Sequence, residues 1–154
     1  MKLITIFLFS VFGVLLFLNK TKAQNKEAYY NVVKKINKIE IRDYRSLIYV
    51  SYTPLNEKDR NNSFRNVAAY IFGENKAKEK IKMTSPVVIK LHNKNEMAFI
   101  MPKKYTLKNL PKANNKALSI YEESSNIKAA IKFSGYSNKK KEQFYIQKLK
   151  EKLK

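Results

Sequence analysis

The stretch Phe64-Arg-Asn-Val-Ala-Ala-Tyr-Ile-Phe-Gly-Glu-Asn75, followed by Lys80-Ile-Lys-Met-Thr-Ser-Pro86, decides the fold class of this chain. Its apolar residues recur at helical spacing and predict an amphipathic helix with one apolar stripe: Phe64, Val67, Ala68 and Ile71. Gly73 is a natural helix stop, and a strand with Pro86 at an edge or bulge is expected over residues 83–91. This passage from helix to strand predicts an α+β protein.

Strand-forming residues flank this helix on both sides. We expect two antiparallel strands over residues 29–33 and 39–52, and a hairpin of strands 83–91 and 96–102 about Asn93-Lys-Asn95. A loop over residues 103–117 precedes strands at 118–122 and 127–133. A second helix is expected after Gly135, with Ser137 as its cap. The apolar face of that helix comprises Tyr145, Ile146, Leu149 and Leu153.

The order of these elements is ββα, ββ and then ββα, which is typical of a duplicated unit. Ile41 and Ile120 are 79 residues apart, and so are Ile48 and Ile127. The sequence therefore predicts a pseudo-twofold duplication of a ββα unit.

The first residues have the pattern of an export signal. Lys2 precedes the apolar run Leu3–Leu18, and Thr21-Lys-Ala23 has small residues at the spacing of a signal-peptidase site. We therefore expect a cleaved signal over residues 1–23 and one domain over residues 24–154, in the periplasm or secreted. An uncleaved signal that anchors the protein to the membrane is the weaker alternative.

The chain is strongly basic, with 32 lysines and arginines against 12 acidic residues and a net charge of +20. The 28 lysines are scattered and form no single basic stripe, so no specific nucleic-acid partner is expected. A dense patch lies in the second helix, at Lys139–Lys141 and Lys148–Lys154, and favours weak contact with anionic membranes or polymers.

The sequence offers few groups for catalysis or metal binding. It has no cysteine and one histidine, so neither a nucleophile–base pair nor a clustered metal site is predicted. Glu122 and Glu123 are adjacent on a strand and point to opposite faces, which excludes a shared acid pair. We therefore expect a binding protein and not an enzyme.

Six segments resemble, in order and spacing, the SOUL haem-binding protein family. They are Ile39-Glu-Ile-Arg-Asp-Tyr44, Phe64–Gly73 with Asn75, Met83-Thr-Ser-Pro86, Phe99-Ile-Met-Pro102 with Tyr105, Leu110-Pro111, and Phe133-Ser-Gly-Tyr136. The resemblance implies a distorted antiparallel β-barrel flanked by two helices. Members continue past the second helix into two more strands, so the resemblance also implies that the C-terminal strands of the second unit are missing. Self-association through the open sheet edge is then expected.

The resemblance further implies haem, or metal-free porphyrin, as the bound group. The family's apolar cleft beside the first helix would involve Phe64, Val67, Ala68 and Ile71. Arg60 and Arg65 would pair with the propionates.

Strong axial ligation is not expected from the residues present. Strand alternation places His92 on the solvent face, and Met97, Phe99 and Met101 form a stripe that is typical of a core. The leading hypothesis is an exported protein that holds a tetrapyrrole by apolar contact. The alternatives are a lysine-rich interaction protein and, by analogy with related barrels, an effector-binding domain for a small amphiphile.

Overall fold

The computed structural model of the protein describes residues 29–153, so the predicted signal over residues 1–23 lies outside the described residues. These residues form seven strands and two α-helices, and a 3-10 turn, Asp59–Asn62, precedes the first helix. The elements are β1 Tyr30–Ile36, β2 Ile39–Tyr44, β3 Leu47–Tyr52, α1 Ser63–Ile71, β4 Val87–Lys90, β5 Glu96–Ile100, β6 Leu118–Glu123, β7 Asn126–Ile131 and α2 Lys139–Lys152. The predicted α+β class is confirmed.

The strands form two antiparallel sheets and not the barrel that the resemblance implies. One sheet has the order β1-β2-β7, and the other has the order β4-β5-β3-β6. Within residues 29–153 no strand ladder joins the two sheets, so these strands do not form a closed barrel. Helix α1 packs on β3 and β5, and α2 packs beside β7. Neither helix of the described chain is long and apolar enough to cross a membrane.

The segment 39–52 was predicted as one strand, and this is wrong. It divides at Arg45 and Ser46 into β2, which pairs with β1 and β7, and β3, which pairs with β5 and β6. The backbone N–H of Arg45 leaves these ladders and donates to the carbonyl of Tyr29 at 3.4 Å. The sequence pattern gives no break at this corner. A high strand propensity indicates that a residue suits a sheet, but it does not indicate which sheet the residue joins.

Two other predicted boundaries are wrong. Strand β4 begins at Val87, so the residues 83–86 are outside the sheet. The cap of α2 is Asn138 and not Ser137: Asn138 has an extended backbone, and its side chain accepts a hydrogen bond from the N–H of Lys141 at 3.0 Å. The predicted loop over residues 103–117 contains no helix or strand, as expected.

The duplication stays a prediction, although the strand boundaries agree with it. Strand β6 begins at Leu118 and β2 at Ile39, while β7 begins at Asn126 and β3 at Leu47; both pairs of starts are separated by the 79 residues seen in the sequence. The pairing is also reciprocal, since β2 pairs with β7 and β3 pairs with β6.

Candidate ligand-binding site

Helix α1 is fixed against the four-stranded sheet. Val67, Tyr70 and Ile71 are buried in the main core together with residues of β3 and β5. At the end of the helix, the side-chain amide of Asn75 donates to the carbonyls of Tyr70 at 2.9 Å and Glu79 at 2.7 Å. Because Gly73 has a φ of 112°, the chain can turn sharply between these partners. The helix therefore provides a rigid boundary for any neighbouring site.

An apolar cavity of about 510 Å³ lies between α2, β7 and the outer face of the β4–β5 hairpin; we call it the helix cavity. Its volume falls within the range of roughly 300–1,000 Å³ that is usual for small-molecule sites. It is lined by Arg60, Ser63, Ile89, Leu91, Asn95, Met97, Ile131, Phe133, Ser137, Glu142, Tyr145, Ile146 and Leu149.

Strand alternation and helical spacing explain why these side chains meet. Ile89 and Met97 are directly opposite each other in the β4–β5 ladder and therefore share one face of the sheet. Tyr145 and Leu149 are four residues apart on α2 and share one face of the helix. The cavity thus has a sheet wall and a helix wall.

An aromatic pair lines the cavity, with Tyr145 on α2 and Phe133 just after β7. The rings of Phe133 and Tyr145 are stacked, with centroids 4.5 Å apart and an interplanar angle of 8°. Phe144 meets Tyr145 edge to face at 5.2 Å, but Phe144 is 59% exposed and does not line the cavity. A flat apolar ligand can extend this stack through contact with Tyr145.

The opposite end of the cavity is polar and lies at the start of α1. Ser63 is only 2% exposed, and its hydroxyl is buried without a hydrogen-bond partner in the described chain. The neighbouring Arg60 is half exposed and donates to Glu57 at 3.0 Å. Asn62, at the cap position, makes no side-chain capping bond. The N–H of Ser63 already donates to the carbonyl of Arg60, so the donors that an anionic group could use here are the Arg60 guanidinium and the Ser63 hydroxyl.

The predicted site residues are distributed differently around this cavity. Arg60 lines it, whereas Arg65 is exposed on α1 and Phe64, half exposed, packs its ring 5.5 Å from that of Phe99. Val67, Ala68 and Ile71 are buried. These three side chains belong to the protein interior in this arrangement, and the role of the whole predicted set in ligand binding stays a prediction.

The sequence reasoning missed the α2 side of the site. The sequence predicts Tyr145, Ile146 and Leu149 as part of an apolar helix face, but it does not assign that face to the binding site. The signal in the sequence was a single apolar face on an otherwise lysine-rich helix. In the structure, no residue of α2 from Lys139 to Lys152 is fully buried. An apolar face that remains partly open is typical of a binding wall.

The candidate iron ligands lie in different surroundings. His92 is exposed and lines a separate polar depression with Lys90, Glu96 and Tyr121. Met101 is buried in the core, while Met97 lines the helix cavity. Among residues 29–153 no group of three or more histidine, cysteine or acidic side chains could hold a metal ion. A tetrapyrrole in the helix cavity would therefore meet Met97 and Tyr145 before any histidine.

The fold and this cavity define a class of protein: a small α+β domain with a mainly apolar, small-molecule-sized site between a helix and a sheet. The comparison with protein families makes the class specific. Residues 25–154 match the model of the SOUL heme-binding protein family, and the chain belongs to that family. The search of curated proteins found no match.

Proposed function

We propose that this protein is an exported binding module that holds haem or a related tetrapyrrole in the helix cavity, without catalysing a reaction. The family supports haem or tetrapyrrole binding in general. The observation that supports the location is the combination of an apolar cavity with Arg60 and the unpartnered Ser63 hydroxyl at one end. A porphyrin has the same asymmetry, because its ring is apolar and its propionates are anionic.

The residues present fit such a ligand. Ile89, Met97 and Leu149 would contact the apolar ring, and Tyr145 would stack on it. Arg60 and the hydroxyl of Ser63 would bind a propionate. Burial of a large apolar area, at about 25 cal/mol per Å², gives affinity without a bond to iron. The proposed site therefore accepts metal-free porphyrin as well as haem.

The test compares haemin and protoporphyrin IX in titrations of the mature domain. We expect similar affinities for both, and a loss of about tenfold for both ligands in Tyr145→Ala, because about 1.4 kcal/mol of stacking and apolar contact is removed. Phe144→Ala is the matched control, since it removes the neighbouring aromatic ring from outside the cavity.

Three results would contradict parts of the proposal. If Tyr145→Ala and Phe144→Ala bind the ligands with equal affinity, the helix cavity is not the binding site. Loss of binding in Phe64→Ala alone would instead place the ligand on the exposed side of α1. Binding of haemin only, abolished by His92→Ala, would show that histidine ligation dominates.

Contact with anionic surfaces is a second candidate, which rests on the exposed face of α2. Lys139, Lys140, Lys148 and Lys150 are exposed on this helix, beside the exposed ring of Phe144. Attraction of this face to anionic vesicles should weaken steeply as salt rises, since exposed charges are screened. Tetrapyrrole binding through apolar contact should change little in the same salt series.

A further inference from the structure

A second cavity lies between the two sheets, on the opposite side of the four-stranded sheet from the helix cavity. It has a volume of about 550 Å³ and is lined by four tyrosines, Tyr29, Tyr30, Tyr44 and Tyr49; we call it the tyrosine cavity. Alternation along β4 separates the two sites, because Ile89 faces the helix cavity and Val88 faces the tyrosine cavity. The two cavities therefore share a wall but no lining residue.

Two cations lie among the tyrosine rings. The guanidinium carbon of Arg42 is 4.2 Å from the ring centroid of Tyr30, and the ammonium of Lys128 is 5.2 Å from that of Tyr44. Arg42 and Lys128 are opposite each other in the β2–β7 ladder, so both charges lie on one face of the sheet. This face combines flat apolar surfaces with positive charge.

Both cations keep donors that their carboxylate partners do not use. Arg42 donates through Nε and Nη2 to Glu40, at 3.0 and 2.8 Å, and Lys128 donates to Glu123 at 2.5 Å. A guanidinium has five N–H donors and an ammonium has three. The carboxylates hold the two side chains in place. Nη1 of Arg42 also donates to the hydroxyl of Tyr44 at 3.4 Å, and the N–H groups that remain are available to an anion.

Tyr49 adds a buried neutral donor. Tyr49 is only 3% exposed and lines the cavity. Burial raises the pKa of Tyr49 to about 12, so the phenol keeps its proton at neutral pH. A ligand oxygen can accept this proton in a hydrogen bond.

We propose that the tyrosine cavity is a second binding site, specific for a small, flat aromatic carboxylate. The rings of Tyr30 and Tyr44 contact the aromatic part, while Arg42 and Lys128 bind the carboxylate. The volume of about 550 Å³ lies within the range of roughly 300–1,000 Å³ that is usual for small-molecule sites. This site is independent of the proposed tetrapyrrole site, because the two have no lining residue in common.

The experiment is a calorimetric titration of the whole domain with 2-naphthoate. We expect saturable binding at one site, with at least tenfold weaker binding of 2-naphthalenemethanol, which lacks the charge, and of cyclohexanecarboxylate, which lacks the aromatic plane. Lys128→Met and Tyr44→Leu should each weaken naphthoate about tenfold and leave haemin binding unchanged. Lys132→Met is the matched control, because Lys132 is an exposed lysine four residues along the chain, outside the cavity.

The outcomes separate this proposal from the tetrapyrrole proposal. Absence of naphthoate binding, or equal binding of naphthoate by the Lys128 and Lys132 variants, overturns the tyrosine site whatever haemin does. Loss of naphthoate binding in Tyr145→Ala, with normal binding in Tyr44→Leu, places the ligand in the helix cavity and overturns it as well. Failure of haemin binding alone leaves the tyrosine site standing.

Discussion

Replacement of Glu123 by glutamine should cost this protein a large part of its stability at neutral pH. The carboxylate of Glu123 accepts hydrogen bonds from Lys90 at 2.7 Å, from Lys128 at 2.5 Å and from Asn126 at 3.0 Å. Burial acts to raise the pKa of Glu123, but these donors outweigh it and lower the pKa from 4.5 to about 2. The folded state therefore strongly favours the ionised carboxylate.

The magnitude follows from the difference between the folded and unfolded pKa. At 1.36 kcal/mol per pH unit, the fall from 4.5 to about 2 corresponds to about 3 kcal/mol of folding free energy at pH 7. Because the pKa is lowered on folding, this contribution is fully present above about pH 5 and disappears as the pH falls towards 2. About half of it should remain at pH 3. Lys90, with only 16% of its side chain exposed, loses its carboxylate partner in the variant and adds to the cost.

Urea unfolding of wild type and Glu123→Gln at pH 7 and pH 3 measures the effect. The matched control is Glu122→Gln, since Glu122 is the adjacent acid, is exposed and has Ser46 as its partner. We expect a loss of about 3 kcal/mol at pH 7 for Glu123→Gln, a clearly smaller loss at pH 3, and less than 1 kcal/mol for the control. Equal losses in the two variants, or a Glu123→Gln loss that does not shrink at pH 3, would refute the reasoning.

Two further predictions concern the turn after α1. Asn75→Ala should lower the free energy of unfolding by about 2–4 kcal/mol, because the buried side-chain amide makes hydrogen bonds to three backbone groups, the carbonyl of Tyr70 and the carbonyl and N–H of Glu79. Urea unfolding measures the effect, and Asn114→Ala, at an exposed position, is the control. Gly73→Ala should lower the free energy of unfolding by about 1–2 kcal/mol in the same assay, because a φ of 112° strains any residue with a Cβ. A steric clash is not the cause, since the nearest atom to the new Cβ would be 3.6 Å away. An unchanged free energy of unfolding would contradict this prediction.

The local features of the fold could be predicted from the sequence, but its long-range pairings could not. The helical spacing from Phe64 to Ile71 and the stop at Gly73 both depend on neighbouring residues, and the structure confirms them. The corner at Arg45 depends on which strands pair with β2 and β3, and no local pattern carries that information. The same limit explains why the strands of the implied distorted barrel form two separate sheets in the structure.

The candidate site shows this limit most clearly. The apolar stripe of α1 and the apolar face of α2 have the same helical spacing, so the sequence could not say which one is buried. In the structure Val67 and Ile71 are buried against the sheet, whereas Tyr145 and Leu149 remain partly open beside the cavity. The difference arises from the sheet beneath each helix, which is set by strand pairing far away in sequence.

The unequal packing of the two helices has a consequence for binding. Helix α1 buries five of its nine residues, while α2 buries none of the fourteen from Lys139 to Lys152 and contacts chiefly β7. An element with few buried apolar contacts opens at low free-energy cost, so α2 is the wall that can move to admit a rigid, flat ligand. A ligand held between Tyr145 and the sheet would in turn supply α2 with the apolar contacts that the protein alone does not give it. Binding and ordering of this helix are therefore expected to be coupled, with α1 as the fixed side of the site.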